Sequence, residues 1–214
     1  MKAYVITIMS NPLSVSAAER CIKSAKKFGL DVKMWKAFTP KDNPRKILTD
    51  HGINPKGFEE VYSRLENCMS AFLSHYSLWQ ESFTKDENIL ILEHDAVIKS
   101  EMPKMNFFRG CISFGKPSYG KFNIPSQMGQ NKLQSKQYFP GAHAYLISPR
   151  AAKIVIEKAK TEAAPTDVFF HNDRFDFLEE WYPWPVEAVD SFTTIQKREG
   201  CLAKHNFGET YEIV

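Results

Sequence analysis

Residues 89–98 read ILILEHDAVI. Four apolar residues in succession mark a buried strand. Glu93 and Asp95 then arrive with His94 between them. Carboxylates are costly to bury, so the strand either surfaces here or ends against something positive. Side chains alternate along a strand, which predicts that Glu93 and Asp95 share one side and His94 takes the other.

The flanking segments frame this strand. Residues 3–8 are a β-branched run, broken by Ser10, Asn11 and Pro12. Ser16 and Glu19 have the spacing of a capping box, predicting a helix over 17–28 that Gly29 ends. Residues 32–37 form a second strand, and strand–helix–strand at the start favours a parallel sheet. Residues 39–60, rich in Pro, Lys, Asn and Gly, read as irregular with short turns. Over 65–83, Cys68, Phe72, His75, Tyr76, Trp79 and Phe83 fall on one helical face. Residues 115–138 hold few aliphatics and many Gly, Ser, Gln and Lys, the composition of a long loop or lid. Residues 142–147 form a strand. Ser148 then caps a helix with Pro149 at its first position, running to about residue 160. Residues 165–167 open a further helical segment, and short strands follow Trp181.

The chain has 214 residues, 43% hydrophobic and 13% aromatic, with a formal charge of +3. That suits one sizeable α/β domain. The charge is too mild to imply nucleic acid. Neither GxxxxGK[ST] nor GxGxxG occurs, so there is no P-loop or dinucleotide fingerprint. Four cysteines, Cys21, Cys68, Cys111 and Cys201, are widely spaced without a CxxC pair. Reduced thiols are expected, not a structural zinc site. The opening residues read as a strand, not a signal segment. No run approaches the ~20 apolar residues of a membrane span. The expectation is a cytoplasmic, soluble protein.

In an open parallel sheet, ligands bind beyond the carboxyl ends of the strands. Two carboxylates there suit magnesium or manganese, which favour oxygen ligands. The alternative is a plain polar exit from the strand. His75, beside Ser70, Ser74 and Ser77, reads either as a core-edge histidine or as a site residue. Asp167 reads as a helix-start cap or as a general base, with Asp173 and Asp176 as rivals. Lys132, Lys136, Arg150 and Lys153 approach a diphosphate or lie on ordinary surface. Trp181, Tyr182 and Trp184 pack in the core or stack on a sugar.

Four segments, in order, resemble glycosyltransferase family 25, the lipooligosaccharide galactosyltransferase-like group of GT-A type. YVITIMSNP (4–12) is similar to the family's opening strand and nucleotide-side loop. NCMSAFLSHYSLWQES (67–82) is similar to its Ser-His-x-x-Trp helix. ILILEHDAVI stands where the family has Glu-Asp-Asp, with His94 as the middle residue here. PGAHAYLISPRAAKIV (140–155) resembles its Gly-x-x-x-Tyr-Ile-Ser-Pro segment. The run of arginines common in the family's opening loop is missing; Arg20 remains nearby.

The resemblance implies a GT-A-like α/β fold with a mainly parallel central sheet flanked by helices. It implies one domain, with a nucleotide side over about 1–100 and an acceptor side over about 101–214. The implied enzyme is a hexosyltransferase. It would move galactose or glucose from a UDP-sugar to a glycan or lipopolysaccharide-type hydroxyl, with inversion. Thr7, Ser10, Arg20, Ala37, Ser74, His75 and Glu93 would line the donor site. Asp95, Glu93 and His205 would hold Mn2+ or Mg2+, and Asp167 would be the base. Two rivals stand beside it. One is a non-catalytic module that binds a nucleotide sugar or glycan. The other is a nucleotidyltransferase, which should show a Gly-rich first loop that residues 10–16 lack.

Overall fold

A computed structural model describes residues 2–59, 64–139, 141–189, 192–195 and 212–213. Strand β1 (Lys2–Thr7) leads into helix α1 (Pro12–Lys26), then β2 (Lys33–Lys36). The cap of α1 differs from the expected capping box at Ser16. Asn11 accepts hydrogen bonds from the N–H groups of Leu13 and Ser14, and Pro12 occupies the first turn. The residues that break the strand therefore also start the helix. Proline's fixed φ suits that position, where its missing N–H costs nothing.

Residues 39–60 carry more helix than expected: α2 (Pro44–Asp50) and two short 3-10 turns. Helix α3 (Leu65–Lys85) is the longest element. Its buried stripe holds Cys68, Phe72, His75, Tyr76 and Trp79 as expected, but Phe83 is 47% exposed. The stripe ends one turn before Phe83, whose ring lies beneath Lys153 Nζ at 5.9 Å. Strand β3 (Ile89–Glu93) follows, then β4 (Ala96–Ile98) and β5 (Cys111–Ser113).

The expected lid at 115–138 contains a strand, β6 (Gly129–Lys132). Beyond it lie β7 (Ala144–Ile147), α4 (Pro149–Glu162), the single-turn α5 (Thr166–Phe169), β8 (Leu178–Tyr182), β9 (Val186–Ala188), β10 (Phe192–Thr193) and β11 (Glu212–Ile213). Ser148 caps α4 by accepting from the N–H of Ala151, as the Ser-Pro pair predicts.

Seven strands form the central sheet in the order β2-β1-β3-β7-β5-β8-β6. Five run one way; β7 and the edge strand β6 are antiparallel to their neighbours. Helix α1 covers one face, where Ala18, Cys21 and Ala25 meet Ala3, Val5, Leu90 and Leu92. Helices α3 and α4 cover the other, against Ile6, Ile89, Ile91, Tyr145 and Ile147. The four-residue apolar run of β3 is thus buried on both faces, as a central strand between helical layers requires. Cys21, Cys68 and Cys111 are buried; Cys201 lies outside the described residues. Among the described residues no helix is long and apolar enough to cross a membrane.

The β6 edge strand escaped the sequence reading because GQNK has no apolar alternation. The backbone ladder with β8 holds it, and two buried acids of β8 fix Gln130 within it and the residues just after it. Glu180 accepts from the N–H groups of Gln134 and Ser135, each at 2.7 Å, and Glu179 accepts from Gln130 Nε2 at 2.8 Å. Hydrogen bonds of this kind are what make a buried carboxylate tolerable.

Candidate active site

The carboxyl ends of β1, β2 and β3 lie side by side. Thr7 ends β1, and its carbonyl accepts from the N–H of Ala37 at 2.9 Å. The next residue, Phe38, donates its N–H to Ser74 Oγ at 2.9 Å, and that hydroxyl donates to the Ser70 carbonyl. Ser74 is fully buried, so it acts by pinning the chain after β2 to α3. Thr7 is also buried, its hydroxyl bonded to the Val5 carbonyl. Ser10 lies exposed in the turn before α1. Arg20 donates from Nη2 to the Val189 carbonyl at 2.7 Å.

Glu93 closes β3. His75 is buried, and its Nε2 lies 3.0 Å from Glu93 Oε1. Its Nδ1 lies 2.9 Å from the Tyr145 hydroxyl, which accepts from Trp79 Nε1 at 2.8 Å. Burial pushes His75 down to about 3, against the raising effect of the Asp167 charge. The imidazole is therefore neutral at pH 7. A carboxylate can only accept, so the proton sits on Nε2, and Nδ1 accepts from Tyr145. The chain of donors runs from Trp79 through Tyr145 to His75, while His75 in turn donates to Glu93. This network fixes where the Glu93 carboxylate points.

His94, the first residue of the turn after β3, takes the opposite side from Glu93. Its Nδ1 lies 3.0 Å from Ser14 Oγ on α1, and its ring stacks on Phe192 with centroids 5.2 Å apart. Ser14 Oγ also accepts from the N–H of Ile8. His94 thus ties the end of β3 to the loop after β1. Asp95 sits in the same turn between β3 and β4 as His94. Its carbonyl accepts from the N–H of Val189 at 2.9 Å, and Val189 is the residue Arg20 holds. Arg20 thereby tethers this turn through the backbone. His205 lies outside the described residues.

Asp167 stands in α5, which packs on α3. Phe169 and Phe170 are fully buried, packed on Trp79 at centroid distances of 5.8 and 5.4 Å. Burying each ring is worth about 1.5–3 kcal/mol, so α5 is firmly seated against α3. Asp167 Oδ2 accepts from the Tyr119 hydroxyl at 2.5 Å, and Oδ1 from the N–H of Val168. Desolvation raises its carboxyl, and hydrogen bonds from Tyr119 and Val168 oppose this. Tyr119 is itself pushed up by burial and by the Asp167 charge. The rivals Asp173 and Asp176 are exposed.

Of the four basic residues considered, only Lys136 joins this region. Its Nζ donates to the Tyr119 carbonyl at 2.6 Å and sits 4.4 Å above the Tyr119 ring. Lys132, Arg150 and Lys153 are exposed. Trp181 packs against the α1-side core, and Trp184 donates to Glu180 at 3.1 Å, so both are in structural use. The sequence reading assigned no role to Tyr119 or Tyr145. Tyr145 was visible within 140–155, whereas Tyr119 sits in a polar stretch without any pattern.

Among the described residues no three His, Cys, Asp or Glu side chains cluster as a metal cage. The oxygen donors here are the carboxylates of Glu93, at the end of β3, and Asp95, in the turn that follows. One or two carboxylates completed by phosphate oxygens and water is how magnesium is usually bound. The donor set fits such an ion when a diphosphate supplies the rest.

Among solved structures, the chain is similar to the apo form of the glycosyltransferase GlyE of Streptococcus pneumoniae TIGR4. The identity is 12%, the TM-score 0.37, and the match covers 73% of this chain and 37% of that one. The chain thus spans little more than a third of that protein's length. No curated protein matches it. The family model for glycosyltransferase family 25 (LPS biosynthesis protein) matches residues 15–170, from α1 through the aromatic anchor of α5. The chain belongs to glycosyltransferase family 25.

Proposed function

We propose that the protein transfers a hexose from a UDP-sugar to a hydroxyl of a glycan or lipopolysaccharide-type acceptor, inverting the anomeric centre. Family membership supports glycosyl transfer. One observation carries the mechanism: Glu93 at the end of β3 is bonded to the buried His75 of α3, and α5, which carries Asp167, is seated through Phe169 and Phe170 on Trp79, one turn further along the same helix. The Asp167 charge acts on His75. A displacement at a sugar carbon needs a donor-side acid and an acceptor-side acid.

In this reading residues up to about 100 hold the nucleotide and the remainder the acceptor. Thr7 and Ala37 form the strand-end ledge for the nucleotide, with Ser10 above it. Ser74, His75 and Arg20 position that ledge. Asp95 would hold Mn2+ or Mg2+, with Glu93 as a second ligand or a contact to the ribose. When bound, the ion supplies charge neutralisation for the diphosphate leaving group. Asp167 accepts the proton of the acceptor hydroxyl as its oxygen bonds the anomeric carbon and the bond to the diphosphate breaks. His75, held neutral, keeps Glu93 aimed without adding a positive charge of its own.

The test is UDP release from UDP-galactose and UDP-glucose with manganese, with and without Asp95→Ala. Slow release without acceptor is expected, because transferases leak sugar to water. Asp95→Ala should lose the manganese-dependent part while the melting temperature holds. Tight UDP-sugar binding without release would favour the non-catalytic module instead.

A further inference from the structure

A groove with a volume of about 660 Å³ runs between residues 120–123 and residues 135–138. That lies within the roughly 300–1,000 Å³ of small-molecule sites. Its two arms are laced together. Asn123 donates its N–H to the Ser135 carbonyl at 2.9 Å, and Lys136 reaches across to the Tyr119 carbonyl. Gly120 has φ +67, and a Cβ there would stand 3.1 Å from Lys136 Nζ, so glycine permits the crossing. The Ser135 arm is anchored below by Glu180.

We infer that this groove is an acceptor subsite for a sugar carrying an anionic group, a carboxylate or a phosphate. The inference rests on the glycosyl-transfer reading above. Phe122 offers an aromatic surface for the apolar side of a sugar, while Tyr138, stacked on Tyr119 and His171, stiffens the wall behind it. Asn123 and Gln137 offer amides that both donate and accept. Lys121 and Lys136 add two cations, and no Asp or Glu lines the groove among the described residues. Lys121 is exposed and makes no ion pair among the described residues. Lys136 uses one of its three donors on Tyr119, with the Asp167 charge as its anionic neighbour. A neutral sugar would leave Lys121 unmatched, whereas an anionic one completes a charge-assisted contact.

Position supports the same assignment. The groove begins one residue after Tyr119, which is bonded to Asp167. Tyr138 bridges to the backbone of His171, just beyond α5, and stacks on its ring with centroids 6.4 Å apart. The groove is thus joined to the proposed base through Tyr119, the residue that precedes it and bonds Asp167.

The test is an NMR titration of the whole chain with three probes: methyl glucuronide, glucose 6-phosphate and neutral methyl glucoside. At least one anionic probe should bind roughly tenfold more tightly than the glucoside, about 1.4 kcal/mol, and shift resonances of Phe122 and Tyr138. The stronger of the two identifies carboxylate or phosphate. Lys121→Gln should remove most of that preference while sparing the glucoside. Equal binding of all three probes, an unchanged preference in Lys121→Gln, or shifts elsewhere would overturn the subsite. If no probe binds while the protein still releases UDP from UDP-sugars, the subsite fails and the glycosyl-transfer reading survives. If UDP release fails while the anionic preference stands, it is the transfer reading that falls.

Discussion

The Tyr119 hydroxyl donates to Asp167 Oδ2 at 2.5 Å, in the place an acceptor hydroxyl would take beside a general base. Tyr119 comes from the polar segment before β6 and Asp167 from α5, so the contact closes one part of the chain over another. In the proposed mechanism the acceptor hydroxyl would take the place that the Tyr119 hydroxyl holds here.

Tyr119→Phe removes that donor. The Tyr119 hydrogen bond lowers the Asp167 carboxyl, so its loss should raise it further. A base works only when deprotonated, and the acidic limb of the pH–rate profile should therefore move to higher pH. A profile superimposable on the parent's would separate Asp167 from the proton transfer.

Asp167→Asn keeps the size of the side chain and its acceptor for the Val168 N–H. Transfer should fall by roughly 10²–10⁴-fold, the range for loss of a general base. UDP-sugar affinity should stay nearly constant, since the proposed mechanism gives this carboxylate no contact with the diphosphate. Collapse of donor affinity in a titration would instead move Asp167 to the diphosphate.

His75 makes the fold acid-sensitive. In the unfolded chain it titrates near 6.5, and in the folded protein near 3. Between these values the unfolded state binds the extra proton, so stability falls as pH drops. The slope approaches about 1.4 kcal/mol per pH unit once the pH is well inside that window. His75→Gln can still bridge Glu93 and Tyr145 but cannot titrate. Its melting temperature should depend less steeply on pH between 6 and 4 (a range on the order of that window), and equal slopes would refute the assignment.

His94→Asp restores the acid that the family carries. The ring faces Ser14 and Phe192, away from Glu93, so turnover should change less than tenfold, about 1.4 kcal/mol of barrier. The lost stack should cost stability by about 0.5–1.5 kcal/mol. A gain of several hundredfold, on the order of 3–4 kcal/mol of barrier, would show that His94 impairs the site.

Much of this was legible in the linear chain because it is local. The apolar runs of β1 and β3, the stripe of α3, and the Ser148-Pro149 cap are written in neighbouring residues, where period and capping chemistry act directly. So were Glu93 at a strand end and Asp167 at a helix start. The failures were also local conflicts. Asn11-Pro12 outcompeted Ser16 as a cap because a strong acceptor preceded a preorganised proline. The strand ends at Glu93 and a turn begins at His94, so strand alternation does not govern His94 or Asp95. The polar edge strand β6 has no period to read, since the backbone ladder with β8 holds it instead of apolar contacts. Only tertiary packing brought Glu93 to His75 and Tyr145, and Asp167 to Tyr119. Those meetings depend on Phe169 and Phe170 seating against Trp79, and on a neutral histidine surviving in a dry core. These are long-range consequences of burial, and no local pattern encodes them.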